Sequence, residues 1–230
     1  MLAEELQNTE MLRSDFINNF SHEFKTPIIS IAGFAKLLKR GNLSEKQKLE
    51  YIDIIEEESL RLSYMATNVL NLTKVENQSI LTDIMEFNLS EQIRSSVLLL
   101  ENRWTKKHLE FSLEFEECNI FANEELLKQV WINLLDNAIK FSQEYGLIEV
   151  KIKEEQETYK VSVANAGYEI PQESMDKIFN KFYQADESHA SEGNGVGLAI
   201  VKKIVELHKG SVVVESKNGI TVFEITLNKK

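Results

Sequence analysis

Apolar residues recur at helical spacing along the N-terminal part of the chain. The pattern predicts one long helix over Leu2–Arg40, in which Pro27 is the chemical interruption. The pair Gly41–Asn42 is a stop signal, and Ser44 followed by Gln47 has the form of a capping box at the start of a second helix. The sequence therefore predicts two long amphipathic helices joined by a short turn.

The second predicted helix carries an apolar stripe at nearly heptad spacing. Its members are Ile52, Ile55, Leu62, Met65, Val69 and Leu72. A lone antiparallel hairpin cannot bury a stripe this wide, whereas pairing with a second copy completes a four-helix bundle. We therefore predict a homodimer formed through this hairpin, and we assign residues 1–78 to it.

Polar residues dominate 77–86, which we interpret as a linker, and the pattern beyond it is mixed. Strands are predicted at 109–115, 148–153, 159–163, 211–215 and 220–227. Helices are predicted from about Ser90, from a cap at Asn123 to Phe141, and at 198–208. Asn218–Gly219 suits a tight hairpin turn. Because helices and strands do not alternate as in a doubly wound parallel sheet, the predicted class is α+β: a helical hairpin followed by an α/β sandwich domain at 84–230.

Composition narrows the classes of function. The 230 residues are 43% hydrophobic and 27% charged, and the formal net charge of −11 disfavours binding to nucleic acid or anionic lipid. Cys118 is the single cysteine, so an internal disulfide is impossible. No segment approaches the roughly 18 apolar residues of a membrane span. We expect a cytosolic chain without membrane contact, whose anchor, if the full protein is membrane-bound, lies outside this sequence.

His22 is the first candidate for chemistry. A histidine in a helix is more often structural, but neutral imidazole is a competent nucleophile at cytosolic pH, and an adjacent carboxylate such as Glu23 can orient or deprotonate it. Thr26, four positions later, projects from the same helix face and could position a water for the reverse, hydrolytic reaction. Pro27 removes a backbone donor, which predicts a bend beside the histidine.

A polar stripe on an otherwise apolar helix is the second candidate. Asn133, Asn137 and Lys140 share one narrow face of the helix that ends at Phe141. A solvent-facing stripe is an equally good interpretation of two asparagines at this spacing. However, an amide oxygen is a ligand that Mg²⁺ uses together with phosphates, and a lysine supplies positive charge to the same phosphates.

A short glycine repeat is the third candidate. Gly193, Gly195 and Gly197 directly precede a predicted helix, and glycines there allow backbone amides at a helix N-terminus to approach a phosphate. By itself such a repeat is as often a plain flexible turn as a nucleotide site.

Together these segments resemble the sensor histidine kinases of two-component systems. Ser21–Ile28 reads Ser-His-Glu-Phe-Lys-Thr-Pro-Ile and is similar to the phosphoacceptor box of that family, typically Ser-His-Glu-Leu-Lys-Thr-Pro-Leu. The Asn133 stripe resembles the N box. Ile178–Tyr183, the polar segment 184–192 and the glycines at 193–197 follow the order of the F box, the ATP lid and the G2 box.

This resemblance implies that the chain binds Mg-ATP, phosphorylates His22 and passes the phosphoryl group to an aspartate on the receiver domain of a response regulator. By the same resemblance Asn137 is the Mg²⁺ ligand, and Asn133 and Lys140 lie at the triphosphate. Lys181 occupies a position where the family often has arginine, so it offers a point charge instead of a planar fork.

The sequence departs from the family in the G1 box, usually Asp-x-Gly-x-Gly-Ile. Here Gly167 keeps the first glycine and is assigned to the nucleotide site, Asn165 replaces the aspartate, and Glu169 replaces the second glycine. The family's aspartate accepts a hydrogen bond from the adenine amino group. The carbonyl of Asn165 can still accept it, at a loss of about 1 kcal/mol, or a factor of about ten or less in affinity. A side chain at Glu169 is expected to lower ATP affinity further.

Two other functions compete with the kinase. The altered G1 box is compatible with a degenerate kinase that acts as a dimeric scaffold or only as a phosphatase. An ATP-hydrolysing conformational machine could use the same nucleotide fold, but it has no use for the His22 hairpin.

Overall fold

The computed structural model describes residues 2–78, 80–181, 183 and 195–230, with side chains described from Ser21 onward. The chain forms two compact units, Met1–Asn71 and Leu72–Lys230. None of the helices in these described residues is long and apolar enough to span a bilayer.

The first unit is the predicted helical hairpin. Helix α1 covers Leu2–Arg40 without a break at Pro27, and helix α2 covers Glu45–Glu76, so that its last turns belong to the second unit. The capping box is present, because the backbone N–H of Gln47 donates to Ser44 Oγ at 3.3 Å and the backbone N–H of Ser44 donates to Gln47 Oε1 at 3.0 Å. Whether Pro27 bends the helix stays a prediction.

The second unit contains four helices and seven strands among its described residues. The helices are α3 (Leu89–Leu99), α4 (Glu101–Lys106), α5 (Glu124–Phe141) and α6 (Gly197–Leu207). The strands are β1 (Ile84–Asn88), β2 (Glu110–Glu114), β3 (Asn119–Asn123), β4 (Leu147–Glu154), β5 (Thr158–Ala166), β6 (Ser211–Lys217) and β7 (Ile220–Asn228). One turn of 3-10 helix covers Gln172–Ser174.

Five of the strands form one sheet in the order β2-β4-β5-β7-β6, in which only the β2–β4 pair is parallel. Along β5 and β7 every second side chain is buried, and these side chains pack with α5 and α6 in one apolar core. The β6–β7 turn has the left-handed backbone expected of Asn218–Gly219, with φ of 55° and 74°. The predicted α+β class is confirmed.

Strands β1 and β3 and helix α4 were not predicted from the sequence. Among the described strands, β1 and β3 pair with no strand except each other, antiparallel, and β1 begins at Ile84 inside the segment interpreted as a linker. In β3 the two buried apolar residues are those on either side of Phe121. An alternation of apolar and polar residues over only five positions is too short to identify a strand from the sequence. Their pairing joins distant segments, which local periodicity does not report.

Helix α5 is held at both ends by side chains. The predicted cap at Asn123 is present, since its Oδ1 accepts the backbone N–H of Leu126 at 2.9 Å. At the other end Lys107 Nζ donates to the carbonyls of Ile139, Lys140 and Ser142 at 3.1, 2.7 and 3.3 Å. A lysine among the last carbonyls of a helix also complements the helix dipole.

His208 connects the end of α6 to the start of α5. Its Nδ1 lies 2.8 Å from the carbonyl of Ile204, and its Nε2 accepts the backbone N–H of Asn123 at 3.2 Å, which requires the neutral tautomer protonated on Nδ1. Burial lowers the pKa of His208 below its usual value of 6.5, against a smaller opposing effect of the Ile204 hydrogen bond.

We expect the second unit to lose stability as the pH falls. Because the folded-state pKa of His208 is depressed, the unfolded chain binds its proton more readily, so the stabilisation is complete above about pH 6.5 and is lost below it. Urea unfolding followed by tryptophan fluorescence from about pH 8 to about pH 5 measures this slope. His208→Gln should flatten it, whereas His108→Asn, at an exposed histidine, should leave it unchanged. Equal slopes in all three proteins would contradict the assignment.

Candidate functional site

The phosphoacceptor candidate lies on the surface of the hairpin. The His22 side chain is exposed and that of Glu23 is half-buried. Thr26 Oγ1 donates to the backbone carbonyl of His22 at 3.3 Å, so this hydroxyl stays close to the helix backbone one turn from the histidine, and its lone pairs remain able to accept.

Arg61 on α2 reaches across the hairpin to Glu23. Its guanidinium lies 3.8 Å from Glu23 Oε2 and 3.9 Å from Glu58 Oε2, so that one arginine sits between two carboxylates. Both of these carboxylate oxygens are buried. Arg61 and Glu23 thus form a long ion pair, outside hydrogen-bond distance, and sequence inspection missed it because the contact joins two helices.

The nucleotide candidate begins with the polar face of α5. Asn133, Asn137 and Lys140 lie on that face as predicted; Asn133 is buried and the other two are half-buried. The Nδ2 atom of Asn133 is buried without a hydrogen-bond partner among the described residues. Buried polar atoms are nearly always paired, so an orphaned amide here points to a missing ligand. The Lys140 ammonium lies 4.5 Å from the centre of the Phe141 ring.

The glycine repeat meets this face at the start of α6. A β-carbon placed on Gly197 would lie 3.1 Å from Asn133 Oδ1, so the absence of a side chain there leaves room beside the orphaned amide. Gly195 has a left-handed φ of 62°, and α6 begins two residues later. These features fit a phosphate held at a helix N-terminus. Gly193 lies outside the described residues.

At Gly167 the backbone that follows β5 lies against the C-terminal end of α5. A β-carbon on Gly167 would lie 1.9 Å from the carbonyl oxygen of Phe141 and 3.4 Å from Asn165 Nδ2, so only glycine fits. Its backbone N–H donates to the carbonyl of Gly219 at 2.8 Å. The end of β5, the end of α5 and the β6–β7 turn therefore meet at this residue.

Asn165 is on the buried face of β5, directly opposite Thr221 of β7. Thr221 was not singled out from the sequence, although a polar residue among the otherwise apolar buried positions of β7 is a usable signal. Its hydroxyl lies 2.8 Å from Ser216 Oγ, which accepts the backbone N–H of Ile170 at 2.9 Å. A small polar cluster thus lines this end of the sheet.

Glu169 is directed to the β6–β7 turn. Its Oε1 accepts the backbone N–H of Gly219 at 2.7 Å, so both backbone groups of Gly219 pair with the segment that begins at Gly167. The carboxylate ties this segment to the neighbouring hairpin. The lower ATP affinity expected from a side chain at Glu169 stays a prediction.

Lys181 forms an ion pair with Glu76, at the end of α2 within the second unit. Nearby, Tyr183 donates its hydroxyl to Ser174 Oγ at 2.9 Å. The phosphate contact expected of Lys181 stays a prediction, and it requires the lysine to leave Glu76.

Sequence profiles of two families match the chain. The profile of the "His Kinase A (phospho-acceptor) domain" matches residues 12–78, and that of the "Histidine kinase-, DNA gyrase B-, and HSP90-like ATPase" matches residues 122–230. A solved structure of the catalytic domain of histidine kinase ThkA is 34% identical, with a TM-score of 0.59, over 64% of this chain and 97% of that chain. ThkA in complex with response regulator protein TrrA is 28% identical, with a TM-score of 0.77, over 97% of this chain and 64% of that chain.

Among curated proteins, heme sensor protein HssS of Staphylococcus saprophyticus is 32% identical over 225 residues, which are 97% of this chain and 48% of the relative. Sensor protein RprX of Bacteroides fragilis is 33% identical over 228 residues, 95% of this chain and 44% of the relative. The chain therefore spans about half the length of the relatives it matches.

These matches define the class: the chain carries a histidine phosphoacceptor domain followed by an ATPase domain of the histidine kinase type. It belongs to the sensor histidine kinases of two-component systems, and the family predicted from the sequence is confirmed.

Gly197→Ala should weaken nucleotide binding without unfolding the protein. The new β-carbon would press on the Asn133 amide at 3.1 Å, while alanine favours the helix by about 1 kcal/mol. We expect the affinity for ADP, measured by calorimetry with Mg²⁺, to fall about fivefold to tenfold, with the free energy of unfolding unchanged or raised. Gly33→Ala, where a β-carbon meets nothing within 4 Å, is the matched control. An unchanged ADP affinity in Gly197→Ala would remove Asn133 and Gly197 from the site.

Glu169→Gly, which restores the family's glycine, should change ADP affinity less than about threefold, because the carboxylate is occupied at Gly219. The free energy of unfolding should fall by about 1 kcal/mol through loss of that hydrogen bond. Glu169→Gln keeps an acceptor and should retain most of the stability. A gain in ADP affinity of about tenfold or more in Glu169→Gly would instead mean that the side chain obstructs the base.

Proposed function

We propose that this chain is the catalytic core of a sensor histidine kinase, which transfers the γ-phosphoryl group of Mg-ATP to His22 and then to an aspartate of a response regulator. The observation that carries the proposal is the setting of His22. The imidazole is exposed, and the carboxylate of the adjacent residue, Glu23, lies 3.8 Å from the guanidinium of Arg61. An exposed nucleophile beside a restrained base is the arrangement that general-base catalysis requires.

The nucleotide would be bound in the second unit between α5 and the start of α6. The orphaned Asn133 amide and the backbone amides that follow Gly195 are donors for phosphate oxygens, and Lys140 adds positive charge. The side-chain oxygen of Asn137 is the protein ligand that fits Mg²⁺, which, when bound, neutralises charge on the β- and γ-phosphates.

At His22 one imidazole nitrogen forms a bond to the γ-phosphorus while the bond from that phosphorus to the bridging oxygen breaks, and ADP leaves with the electron pair. The other ring nitrogen loses its proton, which Glu23 accepts. Arg61 acts through Glu23 by limiting the positions of its carboxylate. Pro27, with no N–H to donate, leaves the carbonyl of Glu23 without its helical partner, which makes this turn easier to deform.

The phosphoryl group would then pass to an aspartate on the receiver domain of a response regulator docked on the hairpin. The structural relative ThkA has been solved with the response regulator TrrA. Thr26 is placed to accept a hydrogen bond from water one turn from His22, which supports a phosphatase activity toward the same partner. We place these reactions in the cytosol.

The hairpin would act as a homodimer. Apolar side chains cover two opposite faces of α2. The inner face packs against α1 within the hairpin, where the ring centres of Phe34 on α1 and Tyr51 on α2 lie 5.2 Å apart. The outer face carries Leu49, Ile52, Leu60 and Leu70, of which Leu60 and Leu70 are 65% and 70% exposed. A second copy of the hairpin presents the same surface and completes a four-helix bundle.

We expect acid-labile label on His22 when the chain is incubated with γ-labelled Mg-ATP. His22→Gln should abolish the label, and Glu23→Gln should lower its initial rate about a hundredfold, because proton removal by a positioned base contributes about that much. His108→Asn, at an exposed histidine of the second unit, is the matched control and should be labelled like the parent chain.

Absence of label at saturating ATP, with ADP binding shown by calorimetry, would overturn the kinase proposal and favour a scaffold or phosphatase. Release of free phosphate without labelled protein would favour an ATP-hydrolysing machine. Label that persists in His22→Gln would move the phosphoacceptor to another residue.

A further inference from the structure

The side chain of Asn165 can either donate or accept a hydrogen bond at the end of the proposed nucleotide site that would bind the base. The residue is 5% exposed and lies at the end of β5, opposite Thr221 and two positions before Gly167. By the resemblance of the G1 box, this is the position that would meet the 6-amino group of adenine. The inference that follows rests on the proposed nucleotide site and deepens it by naming the bases that the site accepts.

An amide differs from a carboxylate in what it offers a purine. A carboxylate only accepts hydrogen bonds, so it matches a 6-amino group and opposes a 6-oxo group. An asparagine presents a carbonyl oxygen or an NH₂ group, and a rotation of the amide by half a turn exchanges the two. The same side chain can therefore accept from adenine or donate to the 6-oxygen of hypoxanthine or guanine.

The neighbours of Asn165 leave both orientations available. The backbone N–H of Gly167, near Asn165 Nδ2, is used by the carbonyl of Gly219 at 2.8 Å and does not hold the amide oxygen in place. The hydroxyl of Thr221, opposite Asn165, pairs with Ser216 Oγ at 2.8 Å in a contact where either oxygen can donate. This neighbour can also reverse its role.

The nearby carboxylate does not restore the selectivity of an aspartate. Glu169, the acidic residue of this segment, is engaged by the backbone N–H of Gly219 at 2.7 Å on the β6–β7 turn. Selection at position 6 of the purine thus falls to Asn165 and its neutral neighbours.

We propose that Asn165 makes this site tolerant of the purine 6-substituent, so that the chain binds 6-oxopurine nucleotides as well as adenine nucleotides. Inosine diphosphate is the clean probe, because hypoxanthine differs from adenine by the 6-oxo group and the proton that it places on N1. Guanine carries an additional 2-amino group, so binding of guanosine diphosphate would also depend on whether the site has room beside position 2 of the base.

The experiment compares the dissociation constants of ADP and inosine diphosphate by calorimetry, with Mg²⁺, for the parent chain and for Asn165→Asp. We expect the parent to prefer ADP by less than about tenfold. The variant should prefer ADP by about a hundredfold or more, because its carboxylate gains a charge-assisted bond to the amino group and leaves the 6-oxygen unpaired. Asn228→Asp, an exposed change of the same kind, is the matched control and should keep the parent's ratio.

The ratio in the parent chain decides the matter even if Asn165→Asp does not fold. A preference for ADP of about a hundredfold or more in the parent would overturn the inference while leaving the nucleotide site intact. Failure of the parent to bind either nucleotide would overturn both the inference and the proposed function. Equal ratios in the parent and a folded Asn165→Asp would also overturn it, since position 6 would then be read by another residue.

Discussion

The approach of Gly167 to the end of α5 is the constraint around which the second unit is arranged. With a β-carbon excluded by the carbonyl of Phe141 at 1.9 Å, the end of β5 can lie directly against the end of the helix that carries the N-box asparagines. The backbone of Gly167 also binds the β6–β7 turn through Gly219. One position without a side chain thus lets the end of β5, the end of α5 and the β6–β7 turn lie against one another.

Side-chain contacts at both ends of α5 fix the position of this helix. Asn123 caps its first turn, and Lys107 binds two of its last carbonyls and that of the C-cap residue Ser142, so side chains satisfy backbone groups at both ends of the helix. His208 joins the start of α5 to the far end of α6. Because α6 begins beside Asn133, the two helices of the proposed phosphate site meet both there and at the His208 contact.

Local signals predicted the parts of the fold that depend on local chemistry. The capping box at Ser44, the cap at Asn123 and the Asn218–Gly219 turn are all present, and each involves residues within a few positions of one another. Strands β1 and β3 were missed because their partner is about 35 residues away, and neither strand has a clear alternation of its own. Sequence periodicity predicts which residues share a face of a helix or strand, and for the polar face of α5 this prediction agrees with the structure.

In the candidate site, too, residues within short motifs could be predicted from the sequence, whereas contacts between distant segments could not. His22 and the asparagines on α5 could be assigned because they fall in short motifs, whereas Arg61 and Thr221 become visible only when a second helix or strand is placed opposite. Glu169 shows the limit most clearly: its position in a motif suggested interference with the base, but its contact is with a turn 50 residues further along the chain.

The two departures from the family therefore act on different parts of the molecule. Glu169 supports the proposed site, where its hydrogen bond joins two loops, and Asn165 belongs to the surface proposed to meet the base. Phosphoryl transfer depends on groups that meet the developing charge at the phosphates, and the groups proposed for that role lie on α5 and at the start of α6. A change in how the base is held alters which nucleotides bind and how tightly. It leaves the groups at the phosphates in place, so the altered G1 box is compatible with catalysis at His22.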